Sequence, residues 1–228
     1  MKVNYILPYL IILLTFPSNF SVAQKIDTES LYESLEWNFV GPYRGGRSTT
    51  AAGLDSKPYT FFMGTTGGGV WKTNDAGNTW NNVSDGQITA GSIGAIAISP
   101  SDENIIYVGT GSADPRGNIS SGNGMYKSTD FGENWEFIGL PKAGLIGKIS
   151  IHPKNSDIVY VAALGDIFGK NPERGVYKTI DGGKSWKNIY FISDKTGARD
   201  IEINHDNENE LLASFWTVRR KPWTLVDG

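Results

Sequence analysis

Apolar and polar residues alternate with a period of two in three separate stretches of the chain, which is the pattern of a half-buried β-strand. The alternating pairs are Ile96/Ile98, Ile149/Ile151 and Ile201/Ile203. A turn rich in Pro, Asn, Asp and Ser follows each pair, and a short aliphatic run follows the turn. We therefore predict that each stretch forms two antiparallel strands joined by a tight turn.

A second pattern ends on a tryptophan and occurs three times, which makes it an internal repeat. GGVWKTNDAGNTW ends at Trp80, GMYKSTDFGENW at Trp135 and GVYKTIDGGKSW at Trp186, with offsets of 55 and 51 residues. Each copy predicts a third strand, a tight turn with the motif D-x-G-x-x-W, which we call the box, and a fourth strand that begins at the Trp. Four short antiparallel strands in about 50 residues, repeated, are typical of β-propeller blades.

The chain is therefore predicted to be all-β, an incomplete β-propeller with four-stranded antiparallel blades. The partial propeller is placed at 37–228, with blades at about 47–83, 93–138 and 146–189 and a half blade at 198–228. The segment WNFV, Trp37 to Val40, resembles the strands that follow the boxes, and a leading strand of this kind completes the last blade of a closed propeller. This organisation indicates the front of a longer protein whose C-terminal blades are missing here. We expect an aggregation-prone edge at Trp216.

The box residues are predicted to be structural rather than catalytic. The Asp accepts backbone N–H bonds across the turn, the Gly supplies a positive φ, and the Trp packs between neighbouring blades. Box carboxylates lie far apart around the rim, so no pair meets for acid–base work. The Lys that precedes each box is expected to be a solvated charge. The structural set is Asp75, Gly77, Trp80, Asp130, Gly132, Trp135, Asp181, Gly183 and Trp186.

The first 23 residues are predicted to be a cleavable signal peptide. Lys2 gives a basic start, Ile6 to Phe16 is a short apolar run, and Ser21-Val22-Ala23 is a small-residue cleavage site. A transmembrane anchor is the alternative, but the apolar run is well below the roughly 20 residues that a span needs. We therefore expect a secreted or periplasmic protein without a membrane span, cut after Ala23 and followed by a linker at 24–36.

The composition of the chain excludes several classes of functional site. The chain has no Cys, which excludes disulfides, thiolate metal sites and a cysteine nucleophile. A net charge of −3 and the lack of a basic run argue against nucleic acid as a partner. Both histidines, His152 and His205, fall in predicted turns between first and second strands. We predict no metal site and no cofactor.

The candidates for ligand binding lie on the opposite face of the blades, where the loops between second and third strands surround the channel mouth. All seven Arg residues map to this face or its approach, including a predicted terminal loop at Trp216 to Trp223. Arginine with aromatic platforms suits carboxylates, sugars or peptide termini. The alternative is that these side chains pair with each other and lock the loops. The predicted set is Arg44, Arg47, Asp114, Arg116, Asp166, Arg174, Arg199, Trp216, Arg219, Arg220 and Trp223.

The box resembles the Asp-box, or bacterial neuraminidase repeat, S/T-x-D-x-G-x-T/S-W. The chain after the signal also carries GPYRGGR (Gly41 to Arg47), GSIGAIAISPSDENIIYVGTG (Gly91 to Gly111) and ERGVYKTIDGGKSW (Glu173 to Trp186). It resembles bacterial secreted Asp-box proteins with a sortilin-type propeller, which are commonly called glycosyl-hydrolase-like. Sortilin relatives are receptors that bind peptides and proteins at the propeller mouth. The resemblance therefore implies a non-catalytic propeller that binds a protein, peptide or glycan.

Two other functions stay open, a glycoside hydrolase of the Asp-box class and an extracytoplasmic assembly scaffold. The F-R-I-P start of sialidases is absent, since the entry reads F-V-G-P-Y-R at Phe39 to Arg44. Xyloglucanase relatives carry T-D-I-G-G-A-Y-R, and the matching stretch here is TTGGGVWK, Thr65 to Lys72. Thr66 stands where their catalytic Asp would be. A threonine does not replace a carboxylate as general base, which lowers the hydrolase reading.

Overall fold

A computed structural model of the protein describes residues 46–114, 116, 118–204 and 206–227, together with Tyr32 and Leu35. The chain divides into two units, Met1–Arg44 and Gly45–Gly228, and the fold below is that of the second unit. The predicted signal peptide, the linker apart from Tyr32 and Leu35, the WNFV strand, Arg44 and His205 lie outside the described residues. Within the described ranges no helix is long and apolar enough to cross a membrane.

The regular elements in these ranges are β-strands, and strands that follow each other in the sequence are hydrogen-bonded neighbours within each sheet. Sheet one holds β1 (Ser48–Leu54), β2 (Lys57–Thr65), β3 (Val70–Thr73) and β4 (Asn81–Asn82). Sheet two holds β5 (Ile93–Ile98), β6 (Ile106–Thr110), β7 (Met125–Ser128) and β8 (Glu136–Gly139). Sheet three holds β9 (Ile146–Ile151), β10 (Val159–Ala163), β11 (Gly175–Thr179) and β12 (Lys187–Tyr190). Sheet four holds β13 (Thr196–Ile203), β14 (Leu211–Lys221) and β15 (Thr224–Asp227). The predicted succession of antiparallel sheets is confirmed.

Sheet four differs from expectation at its second strand. β14 is 11 residues long and runs through Trp216 to Lys221, a segment that we predicted to be a loop. The chain then turns at Trp223 and returns as β15, which pairs antiparallel with the end of β14. The loop prediction is wrong because the period-two pattern continues through this segment: Val218 is buried, whereas Thr217 and Arg219 are exposed.

Each sheet packs its face against the next through a separate apolar cluster. One cluster joins sheets one and two around Phe62, a second joins sheets two and three around Tyr107, and a third joins sheets three and four around Tyr160. All three side chains are buried. Burial of apolar surface is the dominant favourable contribution to folding. The core is therefore a series of layers between sheets.

The box tryptophans of sheets two and three fix each sheet to the one before it. The indole N–H of Trp135 donates to the carbonyl of Val83, just after β4, at 2.8 Å. The indole of Trp186 donates to the carbonyl of Ile138, in β8, at 2.7 Å. In both cases the acceptor is the third residue after the box Trp of the preceding sheet. Trp80 instead donates to Gly77 of its own turn.

The three box turns share one hydrogen-bond pattern, which the third turn illustrates. Oδ1 of Asp181 accepts the backbone N–H of Ser185 at 2.9 Å and the hydroxyl of Thr179 at 2.7 Å. The backbone N–H of Gly183, at a φ of 97°, donates to the same Thr179 hydroxyl. Only glycine adopts such a φ without strain. The Asp and the Gly therefore close the turn together.

Hydrogen bonds from the residue four positions later are the main reason that the pKa of each box carboxyl is low. These donors are Thr79 for Asp75, Asn134 for Asp130 and Ser185 for Asp181, through both backbone and side chain. Hydrogen bonds to the charged form favour ionisation, and the pKa of each carboxyl falls to about 2. The box carboxylates are thus ionised turn-forming groups.

The lysine that precedes a box is not a solvated charge in sheets one and two, so that expectation is wrong. Lys72 is 8 % exposed, and its ammonium donates to the carbonyl of Phe131 and pairs with Glu133, both in the box turn of sheet two. Lys127 reaches the carbonyl of Gly182, in the box turn of sheet three. The ammonium of Lys72 also lies 4.6 Å from the centroid of the Phe131 ring. These lysines link a sheet to the box turn that follows it.

Glycines let the first strands of neighbouring sheets approach closely. A Cβ atom on Gly94, in β5, would lie 2.0 Å from the carbonyl oxygen of Ile146, in β9. A Cβ atom on Gly147 would lie 2.1 Å from the carbonyl oxygen of Arg199, in β13. Any side chain at these positions would push the strands apart. The first strands therefore converge, which gathers the loops at their ends into one region.

Acid is expected to destabilise the box turns. Because the pKa of each box carboxyl is lowered from 3.8 to about 2, the folded state favours the carboxylate more than the unfolded chain does. This stabilisation is complete above the unfolded pKa and is lost as the pH falls through the folded value. We expect the free energy of unfolding, measured in urea, to decrease between about pH 4 and pH 2. A variant with Asp75→Asn, Asp130→Asn and Asp181→Asn should lose most of this pH dependence, and an unchanged slope would contradict the assignment.

Replacement of an inter-sheet tryptophan should be costly. Trp135→Ala removes a buried indole and leaves the Val83 carbonyl without its donor, so we expect a loss of about 3–5 kcal/mol in the free energy of unfolding. Trp80→Ala is the matched control, because the half-exposed Trp80 donates, among the described residues, to Gly77 of its own turn. Chemical denaturation of both variants checks the difference, and equal losses would sink the inter-sheet role of Trp135.

Candidate functional site

An open pocket of about 770 Å³ lies where the loops gather, and we call it the mouth pocket. The segment before β1, the start of β1, the end of β2, the β6–β7 loop and β14 contribute to it. Its lining residues are Gly46, Arg47, Ser48, Thr49, Thr66, Ser112, Asp114, Arg116 and Trp216. The volume is within the range of about 300–1,000 Å³ that small-ligand sites occupy.

A fourth apolar cluster, built from loop residues together with residues of β14 and β15, supports this pocket. Its buried members are Ala113, Leu145, Leu164, Ile167 and Val218, and Ile119, Trp216 and Leu225 pack against it. The half-buried ring of Trp216 therefore has one part in this cluster and another part at the pocket. Its position is set by packing, as a binding platform requires.

The β6–β7 loop, residues 111–124, is tied at its base and at its tip. At the base, the backbone N–H of Gly122 donates to the carbonyl of Gly144 at 2.7 Å, next to the start of β9. Near the tip, Asp114 pairs with the guanidinium of Arg199, which projects from β13. Arg199 also donates to the carbonyl of Gly147 at 3.2 Å. One arginine thus holds three segments together and neutralises the pocket's acidic side chain.

Two further arginines give the mouth pocket its positive charge. Arg47 donates to the side-chain oxygen of Asn118 at 3.0 Å, which anchors one edge of its guanidinium. The carbonyl of Arg47 accepts the N–H of Thr66 at 3.1 Å, so the two residues are fixed side by side. Arg116 is exposed on the β6–β7 loop. Because Asp114 is paired with Arg199, the charge left at the pocket is that of Arg47 and Arg116.

The structure brings part of the predicted set together. Arg47, Asp114, Arg116 and Trp216 line the mouth pocket, and Arg199 joins them through Asp114.

Arg44 lies outside the described residues, and the other members of the set lie away from the mouth pocket. The carboxylate of Asp166 accepts the N–H of Phe168 and closes a turn of the β10–β11 loop. Arg219 lines a separate pocket of about 480 Å³ with Lys170 and Lys195. Arg220 is half-buried on β14, and Trp223 is exposed at the β14–β15 turn.

Arg174 is a correction to the predicted set, because its side chain is fully buried. Its guanidinium donates to the carbonyls of Lys195 (2.9 Å), Asp166 (2.8 Å) and Val218 (3.3 Å). Burial lowers the pKa of this guanidinium, and the charge of Asp166 opposes that shift. These carbonyls belong to the β10–β11 loop, the β12–β13 connection and β14. Arg174 therefore locks loops, which was the alternative for the whole set.

The hydroxyl groups of the pocket were missed by sequence reasoning. Ser48, Thr49, Thr66 and Ser112 are as common in turns and strand ends as in sites, so their residue types carry no signal alone. The hydroxyl of Thr49 lies within hydrogen-bond distance of the carbonyls of Gly64 and Ile93 and can donate to one of them, which shows one of these hydroxyls in a structural role. The sequence pointed to one of these residues, Thr66, because it aligns with the catalytic Asp of xyloglucanases.

Comparison with protein families gives one match that covers most of this fold. The Sortilin-Vps10 family, described as "Sortilin, neurotensin receptor 3", matches residues 68–219, which is more than half of the chain.

Among curated proteins, the chain is similar to xyloglucanases. It is 28 % identical to a xyloglucanase of Hypocrea jecorina over 165 residues, which are 66 % of this chain and 19 % of the relative. It is 26 % identical to the xyloglucanase Xgh74A of Acetivibrio thermocellus over 187 residues, which are 71 % of this chain and 20 % of the relative. The chain thus spans about a fifth of the length of the curated relatives it matches.

Solved structures show the same fold. An ancestral GH74 enzyme matches with a TM-score of 0.62 and 19 % identity, over 79 % of this chain and 24 % of that one. The GH74 xyloglucanase of Xanthomonas campestris matches with a TM-score of 0.51 and 17 % identity, over 74 % and 26 %. At these identities the likeness shows fold alone. With the sheets described above, it confirms the predicted all-β propeller, here three four-stranded blades and part of a fourth.

Loss of the Arg174 contacts should destabilise the loops. Arg174→Met removes the guanidinium that donates to several backbone carbonyls, and hydrogen bonds to charged groups contribute about 1.5–3 kcal/mol each. We expect the free energy of unfolding to fall by at least about 3 kcal/mol. Arg219→Met, a change of the same size at an exposed position, should have little effect. Urea denaturation compares the two, and similar values would contradict the buried role of Arg174.

Proposed function

Because the chain belongs to the Sortilin-Vps10 family, we propose that it is a secreted binding propeller. Its mouth pocket would hold a protein, peptide or carbohydrate ligand without hydrolysing it. The observation that carries this proposal is the charge pattern of the pocket. Asp114 is the only carboxylate among the described lining residues, and it is already paired with Arg199.

Hydrolysis of a glycosidic bond by the usual routes needs two carboxyl groups that flank the bond, one as acid and one as base or nucleophile. The described part of the mouth pocket supplies one carboxyl group, that of Asp114, and this group is paired with the guanidinium of Arg199. Thr66 lines the same pocket at the position that the xyloglucanase resemblance assigns to a catalytic Asp. A hydroxyl group does not act as general base at neutral pH, so the pocket favours binding over catalysis.

The side chains that remain available suit a ligand with an anionic or hydroxyl-rich group. Arg47 and Arg116 present guanidinium forks, which form paired hydrogen bonds with carboxylates and also donate to sugar hydroxyls. Trp216 offers a flat apolar surface against which a sugar ring or a ligand side chain packs. The exposed hydroxyl of Ser48 adds a further donor and acceptor at the pocket.

A glycoside hydrolase is the second candidate, and one observation favours it. The curated relatives are xyloglucanases. This function requires both catalytic carboxylates to come from residues outside the described part of the mouth pocket. Assays of the full-length protein separate the two candidates.

Ligand binding without turnover is the expected result. Glycan arrays and a peptide library are probed with the exported protein, whose mass also shows whether residues 1–23 have been removed. Arg47→Gln should weaken binding of the captured ligand at least tenfold, because it removes a charge-assisted hydrogen bond of about 1.5–3 kcal/mol. Arg219→Gln, outside the mouth pocket, is the matched control.

The same preparation is then incubated with xyloglucan and with sialosides. We expect no release of reducing sugar or sialic acid over an overnight incubation. Hydrolysis that follows saturation kinetics would overturn the binding proposal in favour of the glycosidase. Binding that is equally weakened by Arg47→Gln and Arg219→Gln would place the ligand outside the mouth pocket.

A further inference from the structure

An open pocket lies between sheets two and three beside the third box turn, and we call it the rim pocket. It has a volume of about 510 Å³. Strand β8 forms one wall, and residues 181–184 of the box turn form another. Lys127 and Asp157 also line it. The rim pocket shares no lining residue with the mouth pocket and is a separate surface of the protein.

At the interface between sheets one and two, the side chain of Gln87 caps the second box turn. Its Nε2 donates to the carbonyl of Glu133 at 3.1 Å, and its Oε1 accepts the N–H of Trp135 at 2.9 Å. The carbonyl of one residue and the N–H of the second residue after it point to the same side of an extended chain. One carboxamide therefore satisfies both groups, as a neighbouring strand would.

The third box turn has the same two backbone groups without this cap. Lys184 and Trp186 occupy the positions of Glu133 and Trp135 in the D-x-G-x-x-W motif. Among the described residues, neither the carbonyl of Lys184 nor the N–H of Trp186 has a hydrogen-bond partner. The segment that could supply a cap, residues 136–145, contains no glutamine.

Two side chains that cover the second box turn are also missing from the third. Phe131 and Glu133 both contact Lys72, the first through its ring at 4.6 Å from the ammonium and the second through a salt bridge of 2.9 Å. Their counterparts in the third turn are Gly182 and Lys184. A glycine has no ring, and a lysine does not pair with the lysine of the preceding sheet. The pocket beside the third turn therefore stays open.

The charges that line the rim pocket favour a neutral polar ligand. Asp157 pairs with Lys127 at 3.5 Å, and Asp181 accepts hydrogen bonds within its own turn. The other two charged lining residues are Lys184 and Glu136, one of each sign. An ionic ligand therefore meets no excess of opposite charge, whereas a carboxamide finds one donor and one acceptor.

Phe137 gives the rim pocket an apolar wall. Its ring is 48 % exposed, and it packs edge to face against Tyr126 with centroids 5.5 Å apart. A ring that is held in this way packs against methylene groups on its open side. A glutamine side chain carries two methylene groups before its carboxamide, so both of its parts match the pocket.

We propose that the rim pocket binds the side-chain carboxamide of a glutamine from an exposed segment of a partner protein. The carboxamide nitrogen donates to the carbonyl of Lys184, its oxygen accepts the N–H of Trp186, and the methylene groups pack against Phe137. The glutamine thus makes the contacts of Gln87 one interface further along. The proposal rests on comparison of the repeats and does not depend on the ligand of the mouth pocket.

Hydrogen exchange of the unbound 228-residue chain tests whether the third box turn is uncapped. The amide of Trp186 should exchange faster than that of Trp135, which is bonded to Gln87. Gln87→Ala should raise the exchange rate of Trp135. Equal rates at the two tryptophans in the unchanged chain would show that Trp186 already has an acceptor and would overturn the proposal.

A capped hexapeptide of residues 84–89, Ser-Asp-Gly-Gln-Ile-Thr, is the binding probe because it carries Gln87 in its natural context. It is titrated into the isotope-labelled chain and followed by nuclear magnetic resonance. We expect saturable shifts of the Phe137 and Trp186 amide signals. The same peptide with Gln87→Glu should bind about tenfold more weakly, because a carboxylate does not donate to the Lys184 carbonyl.

Protein variants locate the contact. Phe137→Ala removes the apolar wall and should weaken binding of the glutamine peptide about tenfold. Phe168→Ala is the matched control, because Phe168 is 49 % exposed and lies in the β10–β11 loop, outside the rim pocket. This variant should bind as the unchanged chain does.

Three outcomes of the titration overturn the proposal. The first is the absence of saturable binding. The second is equal affinity for the two peptides, which assigns the contact to the peptide backbone instead of the carboxamide. The third is equal weakening by Phe137→Ala and Phe168→Ala, which places the peptide outside the rim pocket.

Discussion

The contact between successive sheets is the interaction on which the rest of this structure depends. A box tryptophan fits against the preceding sheet and donates to one of its carbonyls, while a buried lysine of that preceding sheet bonds to the box turn. A single blade has two apolar faces and cannot bury both alone. These two contacts give neighbouring blades a fixed register, so that each face meets the correct partner.

In that register, the structural box turns and the candidate ligand-binding loops lie at opposite ends of each blade. The box turns lie at one end, where their aspartates accept hydrogen bonds from within the turn. At the other end the first strands converge through Gly94 and Gly147, and the loops there meet over a small apolar cluster. Arginines at this end divide into two kinds. Arg174 and Arg199 hold loops, whereas Arg47 and Arg116 remain at the mouth pocket.

Much of the fold could be predicted from the sequence, because period-two alternation and the D-x-G-x-x-W spacing depend on interactions between residues that are close in the sequence. The site was less predictable. Residue type does not say whether an arginine is buried, and Arg174 has the same loop context as Arg116 but bonds backbone carbonyls in the interior. Lys72 was misjudged for the same reason, since its partners Phe131 and Glu133 are about 60 positions away. β14 continued where a loop was expected, because the burial of Val218 against residues such as Leu164 and Ile167 cannot be read from the sequence.

The order of donor and acceptor in the tryptophan contact has a consequence for synthesis on the ribosome. Val83 precedes Trp135 in the chain, and Ile138 precedes Trp186, so each indole leaves the exit tunnel after its acceptor. Domains form from the N-terminal side as the chain is made. The acceptor of each contact therefore always precedes its indole in the sequence, which gives the array a direction from its N-terminal to its C-terminal blade.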